Sequence, residues 1–220
     1  HAALDSGINF FDTAEGYDDD YHSESILGEA LKKNREKAVI ATKISPPNLT
    51  PGKVEEACEN SLKRLSTDYI DLYQIHWPNH STDVEGSMTQ LQNLIKKGKV
   101  RSIGVCNFGV KDLNEILKFG ELTTNQLPYN LLWRAIEQEI LPECKRNDIG
   151  IICYSPLAQG LLTGRYKNAD EVPDGISRSR LFNHKRPLAK HNDVGCEEEL
   201  FSCIEKINNI AQELGESSAL

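Results

Sequence analysis

The sequence predicts an α/β fold in which parallel strands and helices alternate around a barrel. Short apolar runs, rich in β-branched and aromatic residues, alternate with segments of helical periodicity along the 220 residues. Such alternation is typical of βαβ units whose sheet is buried on both faces. No G-x-G-x-x-G pattern follows the first strand, which disfavours the alternative of a doubly wound, dinucleotide-binding sheet. We therefore predict a (β/α)8 barrel of the TIM type.

Six strands are expected from the apolar runs. In chain order, the runs are Ile8–Phe11, Ala38–Ala41, Ile70–Ile75, Ile103–Cys106, Thr123–Leu127 and Ile149–Tyr154. A TIM barrel has eight strands, so two strand units are unaccounted for. Because the chain opens just before a strand and ends in a helical pattern, we expect a truncated barrel that lacks its first and last units. Residues 1–220 then form one partial barrel domain.

Three helices are expected from apolar residues that recur with helical spacing. The first should begin at Thr50, a good N-cap residue, with Pro51 in its first turn. The residues expected on the three apolar faces are Val54, Ala57, Cys58, Ser61, Leu62 and Leu65, then Val84, Met88, Leu91 and Ile95, and then Leu200, Ile204, Ile207, Ala211 and Leu214. Residues from about 158 to 196 show no periodicity and predict a long βα loop, which in a compact domain is often functional.

The composition excludes several classes of protein. A net charge of −8 argues against a general nucleic-acid-binding surface or a surface for anionic membranes. No apolar run approaches the roughly 20 residues that span a bilayer. The six cysteines form no C-x-x-C pair and no zinc-type spacing. We therefore expect free thiols in a reducing, cytoplasmic setting and no bound metal. Cys58, Cys106 and Cys153 lie in apolar patterns and are expected to be buried.

Every predicted strand ends in a polar residue. These residues are Asp12, Lys43, His76, Asn107, Gln126 and the pair Tyr154-Ser155. Taken singly, Asp12 is most simply a cap or turn residue, Lys43 a solvated charge and His76 a structural histidine. However, the carboxyl ends of parallel strands share one face of a barrel, so these side chains should converge. Together they predict an active site.

Tyr17 follows Asp12 by five residues and raises a question of acidity. A phenol is a poor acid at neutral pH, with a pKa of about 10. We expect Lys43 to lie beside Tyr17, where its positive charge would lower the pKa of the phenol. Asp12 would hold the lysine charged and oriented, and His76 would hydrogen-bond a substrate oxygen or share its proton. Tyr17 is thus predicted to act as an acid.

Six blocks of the sequence resemble the aldo-keto reductase family, in the family's order and across nearly the whole chain. They are NFFDTAEGY, VIATK, IDLYQIHWP, RSIGVCNF, TNQLPYN and YSPLAQGLLTGRY. The resemblance implies a (β/α)8 barrel, an NADP(H) cofactor and the reversible reduction of aldehydes or ketones to alcohols. It also implies a catalytic tetrad of Asp12, Tyr17, Lys43 and His76. The stretches LLTGRY and ISRSRL are similar to the branch with bacterial and plant reductases and potassium-channel β subunits.

The same resemblance implies a set of cofactor-binding residues. The family's Ser-Asn pair, which holds the nicotinamide carboxamide, reads Cys106-Asn107 here and lacks the serine hydroxyl. Gln126 would bind the same carboxamide, and Tyr154 would stack on the nicotinamide ring. Residues that would line the pyrophosphate, largely through backbone N–H groups, are Ser155, Leu157, Gln159 and Gly160. Arg165 and Arg178 would clamp the phosphates and supply the positive charge that an acidic protein needs locally.

Two features of the sequence depart from the family pattern. The segment between Tyr17 and Ser23 is one residue longer than usual and carries three aspartates, Asp18–Asp20, which we interpret as a solvated loop rather than a metal site. Tyr21 is the alternative phenol. The family's contacts to the adenosine 2′-phosphate follow the eighth strand, so a preference for NADPH over NADH is inherited from the family rather than read from these residues.

Three hypotheses remain open from the sequence. The first is an enzyme acting on a small carbonyl substrate. The second is a nucleotide-binding sensor or regulatory subunit with little turnover, which would keep the same tetrad. The third is an inactive fragment whose open sheet edge pairs with another chain. No nucleic acid partner and no membrane insertion are expected, and the oligomeric state is left open.

Overall fold

A six-stranded sheet carries the residues that the sequence singled out. The computed structural model describes residues 1–17 and 22–219. The strands are β1 (Phe10–Asp12), β2 (Val39–Ile44), β3 (Ile70–Ile75), β4 (Val100–Cys106), β5 (Thr124–Pro128) and β6 (Gly150–Tyr154). They lie in the order β1-β2-β3-β4-β5-β6, and the pairs from β1 to β5 are parallel. The predictions of six strands and of a parallel α/β fold are confirmed.

The strand order distinguishes between the two fold classes considered from the sequence. In a doubly wound sheet the order reverses at a switch point, where the chain returns to the middle of the sheet. Here each strand is added beside the one before it, as in the wall of a barrel. Strands β2 and β3 are buried along nearly their whole length, because helices cover the sheet and few residues face solvent.

The chain divides into two units. The first comprises His1–Leu127 and Ala135–Tyr154, and the second Pro128–Arg134 and Ser155–Leu220. Helices of the first unit are α1 (Ala2–Asp5), α2 (His22–Leu31), α3 (Val54–Leu65), α4 (Val84–Lys96), α5 (Val110–Ile116) and α6 (Ile140–Arg146). Helices of the second unit are α7 (Asp174–Ser177) and α8 (Glu197–Glu213). Short 3-10 turns are formed by Arg35–Lys37, Pro46–Asn48, Ala135–Glu137, Ala158–Thr163 and Ala169–Glu171.

Each unit has its own apolar core. In the first unit, Ile40 and Tyr73 of the sheet are fully buried with Leu65 of α3 and Leu91 of α4. In the second unit, the core contains Leu161, Leu162, Phe182, Leu200 and Ile204. The segment expected to be a loop from about 158 to 196 therefore contains short helical turns that contribute buried side chains to this second core.

Helix α3 confirms its predicted face but not its predicted start. Every residue of that face, from Val54 to Leu65, is buried. The helix begins at Val54 rather than at Thr50, so the assignment of Thr50 as N-cap is wrong. Gly52 has a φ of +94°, a left-handed conformation that glycine tolerates and that a right-handed helix excludes. Residues 50–53 instead form a turn, in which the Lys53 N–H donates to the Thr50 carbonyl at 3.0 Å.

The other helical patterns are correct in part. In α4, Met88 and Leu91 are buried as expected, but Ile95 is 39% exposed and the neighbouring Leu94 is buried in its place. In α8, Leu200 and Ile204 are buried, whereas Leu214 lies beyond the end of the helix and is 73% exposed. Ile95 lies at the edge of the apolar stripe, where a small rotation of α4 about its axis decides burial, whereas Leu214 is exposed because α8 ends before it.

Two of the three cysteines predicted to be buried are buried. Cys58 and Cys106 are buried, but Cys153 on β6 is exposed, so its predicted burial is wrong.

Among residues 1–17 and 22–219, no helix is both long and apolar enough to cross a membrane. The same described residues contain no group of three or more His, Cys, Asp or Glu side chains placed to hold a metal ion.

Leu91→Ala should cost about 2–5 kcal/mol of stability, because Leu91 is fully buried and the surrounding core cannot collapse completely into the cavity. Ile95→Ala, one turn further along the same helix, should cost about 1 kcal/mol or less, because Ile95 is partly solvated already. Urea denaturation of both variants measures the difference. Equal costs would contradict the orientation of α4.

Candidate active site

A buried lysine ammonium lies at the centre of the site. Asp12 at the end of β1 pairs in register with Ala41 of β2, and Lys43 lies two residues further along β2. Because side chains on a strand alternate between faces, residues 41 and 43 point to the same side. The Lys43 side chain is only 1% exposed. Its Nζ donates to Asp12 Oδ2 at 2.6 Å, to Tyr17 Oη at 2.6 Å and to the Thr13 carbonyl at 2.8 Å.

Tyr17 joins this pair directly. Its hydroxyl donates to Asp12 Oδ2 at 3.0 Å while accepting from Lys43, and the Lys43 Nζ also lies 4.3 Å from the centre of the Tyr17 ring. Tyr17 as a whole is 47% exposed, so the phenol lies between the buried lysine and solvent. The sequence prediction that the amine lies within hydrogen-bond reach of the phenol matches this geometry.

The pKa of Tyr17 is shifted in the direction opposite to the predicted one. Burial, the charge of Asp12 and the hydrogen bond to Asp12 together raise the pKa of Tyr17 well above its ordinary value. Burial likewise lowers the pKa of Lys43, and Asp12 opposes that shift. The physical reason is charge balance: the carboxylate offsets the ammonium, so the lysine cannot outweigh the loss of solvation. Tyr17 therefore keeps its proton at neutral pH.

Two glutamine amides complete the surroundings of Asp12. Gln126 Nε2 donates to Asp12 Oδ1 at 2.8 Å, and Gln74 Nε2 lies 3.5 Å from the same oxygen. Gln126 was predicted as a ligand of the cofactor, whereas here its amide N–H contacts the tetrad. Gln74, which is fully buried, was missed by the sequence analysis. The available signal was a polar residue inside the otherwise apolar end of β3, in register with Lys43.

His76 follows β3 and borders the phenol. Its backbone N–H donates to the Ile44 carbonyl at 3.0 Å. Its ring lies 5.6 Å from the Tyr17 ring in an edge-to-face arrangement and is stacked with Trp77 at 6.5 Å. Burial and the nearby charge of Lys43 lower the pKa of His76, with Asp12 acting in the opposite direction. The imidazole is therefore neutral at neutral pH and can offer one ring N–H.

Three further residues, Asn107, Tyr154 and Cys106, lie at the strand ends and make hydrogen bonds beside the tetrad. Asn107, with a φ of +63°, donates from Nδ2 to the His76 carbonyl at 3.2 Å and accepts from Tyr154 Oη at 2.9 Å. Cys106 donates from Sγ to Gln126 Oε1 at 3.6 Å. Burial raises the pKa of the Cys106 thiol to about 12, so this cysteine is a thiol rather than a reactive thiolate.

The remaining predicted cofactor residues belong to the second unit. Ser155, Gln159 and Gly160 all have positive φ values, and the Leu157 carbonyl accepts from the Gly160 N–H at 3.0 Å. Left-handed conformations at non-glycine residues cost energy and are concentrated at functional sites. Arg165 and Arg178 are exposed, and the Arg165 guanidinium lies 5.6 Å from the Tyr166 ring.

Two interpretations of the sequence fall outside the residues that the structure describes. They are the assignment of Asp18–Asp20 as a solvated loop and of Tyr21 as an alternative phenol. Tyr17 itself is described, and it makes the contacts given above.

The fold and the site define an α/β protein with a Lys–Tyr–Asp cluster at the carboxyl ends of parallel strands. Residues 1–220 match the family model described as the Aldo/keto reductase family, so the chain belongs to this family. The resemblance recognised in the sequence is confirmed.

Two curated bacterial relatives show how far the likeness extends. The aldo-keto reductase YhdN of Bacillus subtilis (strain 168) is 40% identical over 174 residues, which cover 74% of this chain and 52% of the relative. The NADH-specific methylglyoxal reductase of Escherichia coli (strain K12) is 38% identical over 210 residues, covering 86% and 64%. The chain thus spans about half to two thirds of the length of these relatives.

Solved structures of similar proteins also match nearly the whole of this chain and about two thirds of their own length. A glycerol dehydrogenase, AKR11B4 from Gluconobacter oxydans, superposes with a TM-score of 0.84 at 33% identity, covering 99% of this chain and 68% of the other. An aldo-keto reductase from Klebsiella pneumoniae in complex with NADPH gives a TM-score of 0.75 at 30% identity, covering 99% and 65%.

Asp12→Asn should lower the pKa of Tyr17, because the variant removes the negative charge that disfavours phenolate and leaves the Lys43 amine beside it. Ultraviolet difference titration of tyrosinate measures the shift. The same titration of an Asp12→Asn/Tyr17→Phe double variant identifies which tyrosine signal belongs to Tyr17. An unchanged or higher pKa in Asp12→Asn would contradict the role assigned to the carboxylate.

Proposed function

We propose that this chain carries the site of a nicotinamide-dependent reductase that converts small aldehydes or ketones to alcohols, with Tyr17 as the proton donor. One observation carries the proposal. The Lys43 ammonium contacts both Asp12 and the Tyr17 hydroxyl within 2.6 Å. Burying an ammonium costs several kcal/mol, so a buried cation aimed at a phenol calls for a use beyond holding two strands together. It has a chemical use, because it stabilises the phenolate that remains after proton transfer.

The chain's own residues account for the proton step. A reduced nicotinamide supplies the hydride when bound. Tyr17 remains protonated because its pKa is raised, so it holds a proton for a carbonyl oxygen that develops negative charge. An alkoxide is a stronger base than a phenolate, so the transfer is downhill even from a phenol of raised pKa. Lys43 then faces the new phenolate, and Asp12 keeps the ammonium charged and oriented.

His76 is proposed to position the substrate. A neutral imidazole can donate one hydrogen bond to a carbonyl oxygen without competing for the proton of Tyr17. The contact between the two rings places His76 next to the phenol. The site thus provides two donors, Tyr17 and His76, for one developing oxyanion.

The residues present fit a nicotinamide amide. Gln126 Oε1 has the Cys106 thiol, at 3.6 Å, as its partner, which is a weak donor. This oxygen can therefore accept from a carboxamide N–H, while Gln126 Nε2 stays with Asp12. Tyr154, anchored through its hydroxyl to Asn107, would offer its ring to the nicotinamide. We assign Ser155, Leu157, Gln159, Gly160, Arg165 and Arg178 to the diphosphate.

We further propose NADP(H) as the cofactor and a single (β/α)8 barrel, of which residues 1–220 supply six strands and one long loop. A Klebsiella pneumoniae relative was solved with NADPH, whereas the Escherichia coli relative is named NADH-specific. Assays should therefore use both cofactors.

Two relatives are named methylglyoxal reductases, so methylglyoxal is the first substrate to test. Cofactor binding without consumption would favour the sensor or regulatory alternative.

Tyr17→Phe should reduce steady-state turnover by at least about 100-fold, the usual contribution of a general acid, while leaving cofactor affinity unchanged. The control is Tyr69→Phe, which removes a hydroxyl at the opposite ends of the strands, where the Tyr69 ring contacts Arg35 and Arg101. Cofactor oxidation and fluorescence titration measure the two quantities. Wild-type turnover in Tyr17→Phe would refute the assignment.

Lys43→Ala should show a loss similar to that of Tyr17→Phe, because the phenolate then forms beside Asp12 with no opposing charge. Small alkylammonium ions added to the assay should restore part of the activity by occupying the vacated volume. The same ions should leave Tyr17→Phe unchanged. Rescue of both variants, or full activity of Lys43→Ala without amine, would contradict the role of the ammonium.

A further inference from the structure

We propose that Arg64 of α3 is a positioning residue for Tyr17, acting through two buried carboxylates that precede and follow Tyr17 in the chain. This inference rests on the proposed function. The two carboxylates, Glu15 and Glu24, are 3% and 0% exposed, and Arg64 contacts both. We call Arg64, Glu15 and Glu24 the carboxylate clamp.

Glu24 forms the stronger half of the clamp. Arg64 Nε donates to Glu24 Oε2 at 2.6 Å, and Thr42 Oγ1 donates to Glu24 Oε1, also at 2.6 Å. Thr42 immediately precedes Lys43 in β2. A fully buried carboxylate requires a cation and hydrogen bonds to be tolerated. The clamp thereby ties the start of α2 to the strand that carries the catalytic lysine.

Glu15 forms the second half. Glu15 Oε1 accepts from the Ser45 N–H at 2.6 Å and from Asn48 Nδ2 at 3.0 Å, and Glu15 Oε2 lies 3.9 Å from Arg64 Nη2. Its backbone N–H donates to the Lys43 carbonyl at 3.3 Å. Glu15 is thus fastened to β2 and to the residues that follow it, only two positions before Tyr17.

Two glycines allow these contacts to be so close. A Cβ on Gly28 would lie 2.6 Å from the Leu65 carbonyl and 2.7 Å from that of Arg64. Gly28 lies one turn after Glu24 in α2. At this position only glycine lets α2 approach the end of α3 so closely. A Cβ on Gly16 would lie 2.9 Å from Ser45 Oγ, so the backbone between Glu15 and Tyr17 also approaches the end of β2 closely.

The consequence concerns the hydroxyl of Tyr17. The proton donor must hold its distances to Lys43 and Asp12, and a displacement of about 1 Å can cost on the order of 100-fold in rate. An arginine can meet two carboxylates with one planar fork, whereas the ammonium of a lysine is a point charge. The clamp would therefore set the position of the phenol rather than its chemistry.

The test compares Arg64→Met and Arg64→Lys with Arg35→Met as a matched control. Arg35 also bonds a buried carboxylate, Asp71, at 2.6 Å, but near the amino ends of the strands. Arg64→Met should lower kcat by about 10- to 100-fold with an unchanged KM for the cofactor. Arg64→Lys, which retains one contact, should recover part of that loss. Arg35→Met should reduce stability and leave kcat unchanged.

A double-variant cycle separates positioning from general destabilisation. If Arg64 acts through Tyr17, Arg64→Met should have no further effect on the residual rate of Tyr17→Phe. Multiplicative losses in the double variant would overturn the inference. Wild-type kcat in a folded Arg64→Met protein would also overturn it, while leaving the proposed function intact.

Hydrogen exchange tests the clamp independently of turnover. Amides of residues 13–17 should exchange faster in Arg64→Met, or in Arg64→Lys should the first variant fail to fold, but not in Arg35→Met. If the wild-type protein shows no reductase activity, the proposed function fails and this measurement alone decides on the clamp. Unchanged exchange in residues 13–17 would then refute it.

Discussion

The arrangement of the site depends on the burial of one charge, the ammonium of Lys43. A lysine inside a sheet is unfavourable unless each of its protons meets an acceptor. Asp12, Tyr17 and the Thr13 carbonyl supply the three acceptors. This requirement fixes the ends of β1 and β2 relative to each other and brings the phenol to the same point. Structure and proposed chemistry therefore depend on the same three contacts.

The charges around Lys43 explain why the pKa of the Tyr17 hydroxyl is raised rather than lowered. A lysine alone would make the phenol more acidic, but Asp12 offsets that charge and burial then raises the pKa of Tyr17. The result suits a proton donor, since the proton is present at any physiological pH. In the proposed mechanism the ammonium would act after the transfer, on the phenolate, rather than before it. Gln74 and Gln126 donate to the other oxygen of Asp12 and so hold this carboxylate in place beside the ammonium.

Much of the fold could be predicted because it follows from local patterns. Each of the six apolar runs overlaps a strand, with ends that differ by up to three residues, and the buried face of α3 is the one that its periodicity indicates. The failures also have local causes. Helix α3 does not begin at Thr50, because Gly52 takes a left-handed conformation that a right-handed helix excludes. Ile95 was assigned to the core although its position at the edge of the apolar stripe left its exposure to the packing of α4.

By itself, the sequence determined the polar residues at the strand ends, because parallel strands place those residues at one edge whatever the details of packing. It also determined the family, through blocks that keep their order along the chain. Only the tertiary structure decided the acidity of Tyr17, because a pKa depends on burial and on the sum of nearby charges. The same holds for Gln74 and for the carboxylate clamp, whose members lie on different helices and strands and meet only after folding.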